Sequence, residues 1–126
     1  MKTIITTNNA PTPIGPYNQA VLTGNTLYTS GQIAINPETN NLVLDNINKE
    51  TKQVMENLKA VLEAADMTFE NVIKSSIFIS NMDDFSSINE IYGSYFDDVN
   101  APARETVEVA RLPKNVNVEI SVIAIK

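Results

Sequence analysis

Val116, Val118, Ile120, Val122 and Ala124 occupy every second position near the end of the chain, with Asn117, Glu119 and Ser121 between them. A period of two puts one residue set on each side of an extended backbone, so this stretch predicts a strand with one covered face. A chain carrying such a strand must form a sheet and supply something apolar to cover it. Just upstream, Ala101 to Pro113 reads as another strand. There Val107 and Val109 share a face, while Arg104, Thr106 and Glu108 point the other way. Pro102 cannot donate to a ladder, so it marks where pairing begins. A short Pro113-Lys114-Asn115 turn is expected to join the two strands.

Two helical segments are expected to do the covering. From about Asn48 to Ala65, the residues Val54, Met55, Leu58, Val61, Leu62 and Ala65 recur at helical spacing as one stripe. Lys49, Glu50, Lys52, Glu56 and Glu63 fall off that stripe and read as solvated. Asn81-Met82-Asp83-Asp84 caps a second helix running to about Phe96, striped by Phe85, Ile88, Ile91, Tyr92, Tyr95 and Phe96. Short strands are expected at Lys2–Thr7 and Tyr17–Leu22, at Thr26–Ile35 after a Thr23-Gly24-Asn25 turn, and at Asn71–Ser80. The prolines between Asn8 and Pro16 make that segment a fixed loop. The predicted order is β-β-β-α-β-α-β-β within one domain spanning residues 1–126. Both helices pack most economically on one side of a mixed sheet, an α+β arrangement. The other side keeps apolar residues among polar ones and reads as an oligomer surface.

What the chain lacks narrows its chemistry. It has no histidine and no cysteine. Imidazole bases, Ser–His and Cys–His nucleophiles, thiolates and disulfides are therefore absent, and a zinc site would have carboxylates alone. The four glycines are isolated, so there is no phosphate-binding glycine loop. A net charge of −6 argues against a partner that is a phosphate backbone. No apolar run approaches the roughly 18 residues of a membrane span, and no signal-peptide pattern is present. These features fit a cytoplasmic protein.

The polar residues on the last two strands suggest a site. Arg104 at the mouth of a sheet, with Glu119 on a neighbouring strand, can handle a small carboxylate; the alternative is a cross-strand ion pair on a solvated face. Gly31, inside Ser30-Gly31-Gln32, marks a bulge or the close approach of a ligand or backbone, or else is a packing glycine.

Several segments together resemble the Rid family of reactive intermediate deaminases, also called YjgF or L-PSP proteins. They are Ile14-Gly15-Pro16-Tyr17, Ser30-Gly31-Gln32-Ile33, Glu56-Asn57-Leu58, Pro102-Ala103-Arg104, and Val107 through Pro113 with Val118-Glu119-Ile120 after it. The resemblance covers essentially the whole chain. It implies a chorismate-mutase-like subunit, a homotrimer with clefts between subunits, and no cofactor. It also implies hydrolysis of 2-imino or enamine acids, such as 2-iminobutanoate and 2-iminopropanoate, to 2-oxo acids and ammonia. By the same resemblance Arg104 grips the substrate carboxylate and Glu119 holds the water. Ser30 and Gly31 line the site, Tyr17 forms a wall, and Asn89 lies near the cleft.

The chain departs from close relatives at Glu105 and Thr106, where Ser and Cys are frequent. Thr106 suffices if only its backbone N–H serves the ligand. Strand alternation sends Glu105 away from Arg104, sparing the anion site. A protonated imine needs a positioned water and an acceptor rather than a strong base, so the missing histidine is no obstacle. Two other readings use the same residues: a non-catalytic sensor of 2-oxo or amino acids, and a translation-inhibiting ribonuclease, which the acidic charge disfavours.

Overall fold

The computed structural model describes residues 1–126. Strands β1 (Lys2–Ile5), β2 (Ala20–Thr23) and β3 (Thr26–Thr29) lead into helix α1 (Ile47–Ala64). Then come β4 (Val72–Ile79), α2 (Phe85–Gly93), β5 (Ala103–Glu108) and β6 (Val118–Ile125). The α+β class and element order are as expected. The six strands form one mixed sheet in the order β1-β2-β3-β6-β4-β5. Every pairing is antiparallel except β4 with β5, which the α2 crossover makes parallel.

β6 lies inside this sheet, and its alternation is seen directly. Val118, Ile120, Val122 and Ala124 are buried while Glu119, Ser121 and Ile123 are only partly covered. The buried set packs with Val54, Leu58, Val61 and Leu62 of α1, Ile77 and Ile79 of β4, and Ile88 and Tyr92 of α2. Each fully buried aliphatic side chain contributes about 1.5–3 kcal/mol of transfer free energy. Both helices therefore cover one sheet face. No helix is long and apolar enough to cross a membrane.

Local chemistry sets the ends of the elements. Asn46 caps α1, its side chain accepting from the Lys49 N–H at 2.9 Å. Asp66, at φ +58, closes the helix by directing the Met67 N–H to the Leu62 carbonyl. α2 is shorter than its apolar spacing predicts: Met82–Asp84 is a separate 3₁₀ turn, and the helix ends at Gly93. Tyr95 and Phe96 still join the core through rings 5.2 Å from Phe69. Their burial extends the periodic pattern beyond the helix proper.

Four expectations need correction. β5 and β6 are not neighbours, because β4 lies between them. The Pro113–Asn115 3₁₀ turn joins them without making a hairpin. The second and third strands are shorter than predicted: Tyr17 lies in a loop, and β3 stops before Ser30. In β4 alternation places Ile73 on one face with Ser75, Ile77 and Ile79, but a register irregularity between Val72 and Lys74 buries Val72 and turns Ile73 outward. Finally, Glu50 is wholly buried. Helical spacing placed it in solvent, but the first turn of α1 abuts the entry to β6, where a backbone N–H needs an acceptor.

Candidate functional site

The Glu119 carboxylate lies against Gly31. β3 ends at Thr29, the chain turns at Ser30–Gly31, and pairing resumes when Gln32 exchanges backbone bonds with Ile120. This detour lays Gly31 over Glu119. A Cβ at position 31 would stand 2.7 Å from Glu119 Oε2 and 2.8 Å from Cδ. Glycine makes room for the carboxylate, so Gly31 is a packing glycine: what approaches it is the Glu119 side chain rather than a ligand or another backbone.

Above this floor is a cavity of about 630 Å³, with Pro11, Ile14, Tyr17, Ser30, Ile33 and Lys114 among its lining residues. Its N-terminal wall is held by Gln19, which no sequence pattern singled out. The buried Gln19 amide donates to the carbonyls of Thr7, Ala10 and Pro11 at 2.9, 3.2 and 2.9 Å and accepts from the Thr7 N–H at 2.7 Å. A lone glutamine has no periodicity to betray this role. Asn57 of α1 fixes the opposite wall by donating to the carbonyls of Ile33 and Ile35. Ser30 Oγ donates to the Asn18 carbonyl at 2.5 Å. The Tyr17 hydroxyl accepts from the Ile14 N–H at 3.4 Å, and the ring is exposed. Desolvation pushes the Glu119 carboxyl above the usual glutamate range. Such a group is a better proton acceptor once ionised and is readily reprotonated.

Arg104 is elsewhere. On β5 it pairs with Ser75, whose hydroxyl accepts from the buried Tyr92, so it faces the helices. Its guanidinium lies 5.2 Å from the Tyr92 ring centre and 5.6 Å from that of Phe85. Nη1 donates to Asn89 Oδ1 at 2.6 Å. Two rings and one amide thus hold an exposed cation in a set orientation, an arrangement suited to a carboxylate ligand. Burial raises the Tyr92 pKa, so its hydroxyl stays protonated beside the arginine.

Thr106 lies on the same face, its Oγ1 buried without a hydrogen-bond partner. Glu105 faces the other way and is bound by Lys74 at 2.8 Å and by the Ser76 hydroxyl. These bonds, Lys74 first, hold its carboxyl below the usual range. Its charge is therefore directed away from Arg104, as alternation requires. The structure thus gathers Tyr17, Ser30, Gly31 and Glu119 at one cavity and groups Arg104 with Asn89 and Thr106 at another place. No group of three or more acidic side chains is arranged to hold a metal ion.

A half-covered mixed sheet with a glycine-floored carboxylate cavity defines a class of small α+β proteins, and comparison narrows it. The sequence model of the family described as Endoribonuclease L-PSP matches residues 7–126. A RutC family protein of Pyrococcus horikoshii is 50% identical over 100% of this chain and 99% of its own length. A 2-iminobutanoate/2-iminopropanoate deaminase of Dermatophagoides farinae is 49% identical over 98% of this chain and 96% of its own. The crystal structure of a Rid family protein from Yersinia pestis superposes with a TM-score of 0.97 at 49% identity, covering 100% of both chains. The chain belongs to the L-PSP family, also called the Rid family.

Proposed function

We propose that this protein hydrolyses reactive 2-imino and enamine acids, 2-iminobutanoate and 2-iminopropanoate among them, to 2-oxo acids and ammonia. The reading is supported by family membership and by a relative of that printed activity at 49% identity. The observation that carries it is the Glu119 carboxylate: half-buried, raised in pKa, and set on the floor of an open cavity. In this reading the site forms between two copies in a homotrimer. Arg104 of one copy binds the substrate carboxylate in a paired, charge-assisted contact, and Glu119 of the next holds the water. The open sheet face, with Tyr28, Phe78, Val107 and Ile123, is the surface through which the copies meet.

The chemistry needs little more. An enamine first takes a proton at carbon to become the imine. The protonated C=N carbon is then attacked by water as Glu119 accepts the water's proton. The resulting carbinolamine loses ammonia when that proton is returned to nitrogen and the hydroxyl gives up its own proton to the ionised Glu119, leaving the C=O of a 2-oxo acid. Tyr17, Ser30 and Gly31 line the pocket. The test is to generate 2-iminobutanoate enzymatically and follow its decay with and without the protein. Acceleration in proportion to protein concentration is expected, and decay at the background rate overturns the reading.

A further inference from the structure

Glu50 is the one charged side chain in the buried interior, with no solvent exposure. A buried carboxylate is costly unless its oxygens are matched by donors. Both are matched by one residue: the Asn117 backbone N–H donates to Oε2 at 2.7 Å, and the Asn117 side-chain amide donates to Oε1 at 2.7 Å. Asn117 in turn accepts the Ser80 N–H at its carbonyl, 3.1 Å, and the Ser80 hydroxyl at Oδ1, 3.3 Å. The first turn of α1, the end of β4 and the entry to β6 are thus tied at a single point.

What this point restrains is informative. Just before Asn117, Lys114 and Asn115 both lie in the left-handed region, at φ +56 and +57. Two consecutive non-glycine residues there, Lys114 above all, carry strain that persists only if the surroundings hold them. Lys114 lines the cavity. Two residues past Asn117 is Glu119, packed so closely on Gly31 that a methyl would not fit. The strained turn and the carboxylate therefore hang from the same anchored residue.

We propose that Glu50 is a positioning residue for the Glu119 site: by clamping Asn117 it fixes the entry of β6 and so the height of the Glu119 carboxylate over Gly31. It touches neither substrate nor water. The proposal rests on the hydrolytic reading above for its catalytic consequence, though not for its geometric one.

The test uses the full-length protein well below its melting temperature, with Glu50→Ala, Glu50→Gln and Asn117→Ala. Imine decay gives kcat and KM, and carbon-13 NMR of the side-chain carboxyls follows the titration of Glu119. Displacing a reacting group by a fraction of an ångström costs on the order of 10-fold in rate. Glu50→Ala is therefore expected to lower kcat about 10-fold with KM little changed and to move the Glu119 titration toward the ordinary range as water reaches it. Glu50→Gln should restore both, since its amide oxygen can accept the Asn117 N–H while its NH₂ meets a flipped Asn117 amide. Asn117→Ala keeps the backbone bond and should fall between; it carries the test if Glu50→Ala does not fold. Variants that only lower the melting temperature, leaving kcat and the Glu119 titration unmoved, overturn the proposal. A wild type that does not hydrolyse imine, but whose Glu119 titration moves with Asn117→Ala or Glu50→Ala, keeps the clamp and removes the hydrolytic reading instead.

Discussion

Arg104 and Glu119 point from opposite faces of one sheet. Arg104 pairs with Ser75 on the helix-covered side, and Glu119 pairs with Phe78 on the open side. β4 runs between their strands, so no side-chain rotation within one chain brings the guanidinium to the carboxylate. If both act on one substrate, they come from different copies.

Mixing inactive subunits tests that relationship. Arg104→Ala and Glu119→Gln proteins, each inactive alone, are dissociated together and reassembled. With one arginine and one glutamate drawn from different copies, about a quarter of the sites become wild type at equal mixing. Recovery of roughly that share of the activity is expected. No recovery after verified subunit exchange would place both residues in one chain.

Arg104→Ala alone should abolish imine hydrolysis and 2-oxo-acid binding, losing on the order of 10²-fold or more in kcat/KM. Because Arg104 is exposed, the circular dichroism spectrum and melting temperature should change little. Arg104→Lys keeps the charge without the planar fork stacked on Tyr92 and Phe85 and should recover only part of the loss. Full activity in a folded Arg104→Ala protein would remove the arginine from the site.

Glu119→Gln should bind 2-oxo acids nearly as well as the wild type while losing on the order of 10²-fold in rate, since an amide cannot take a proton. The wild-type rate should fall as pH drops through the raised Glu119 pKa, so the acid limb lies above the usual carboxylate range. The linked stability effect has a definite sign. As pH rises, an unfolded glutamate ionises before the folded one does. Stability is therefore fully present below the unfolded pKa and declines up to the folded pKa. Glu119→Gln should melt higher than the wild type at neutral pH and equally at low pH, as calorimetry across that range would record.

Gly31→Ala isolates the close approach. Gly31 does not need a left-handed backbone, so alanine is free of backbone strain there, but its Cβ would meet the Glu119 carboxylate at 2.7 Å. The side chain should swing aside, lowering the rate on the order of 10-fold for less than about 1 kcal/mol of stability. Denaturant unfolding and the imine-decay assay on one preparation separate the two effects. An unimpaired rate would show that the carboxylate's seat does not matter.

Assembly is the fifth property to measure. The open face presents Tyr28 and Val107 with 49% and 42% of their surfaces exposed, beside Phe78 and Ile123. Light scattering should give three times 13.9 kDa, and Phe78→Asp should shift the protein toward monomer and abolish hydrolysis with it. A wild-type monomer at micromolar concentration would contradict the intersubunit site.

The sequence by itself determined the order of the elements and the covered side of β6. The alternation from Val116 to Ala124 decided which residues of β6 are buried, because period two leaves a strand only two faces. The same rule turned Glu105 away from Arg104. The stripe from Val54 to Ala65 fixed the covering face of α1 by spacing alone. Only the tertiary structure decided who neighbours whom. That β4 separates β5 from β6 is a matter of sheet topology, which local periodicity does not encode, and it turned an expected Arg104–Glu119 pair into two places on opposite faces. That Glu50 is interior, and that Gln19 ties down a cavity wall, depends on backbone donors and acceptors brought there by segments distant in the chain. A residue's own spacing records its angle around a helix or strand, whereas its partner is chosen by whatever the fold packs against it.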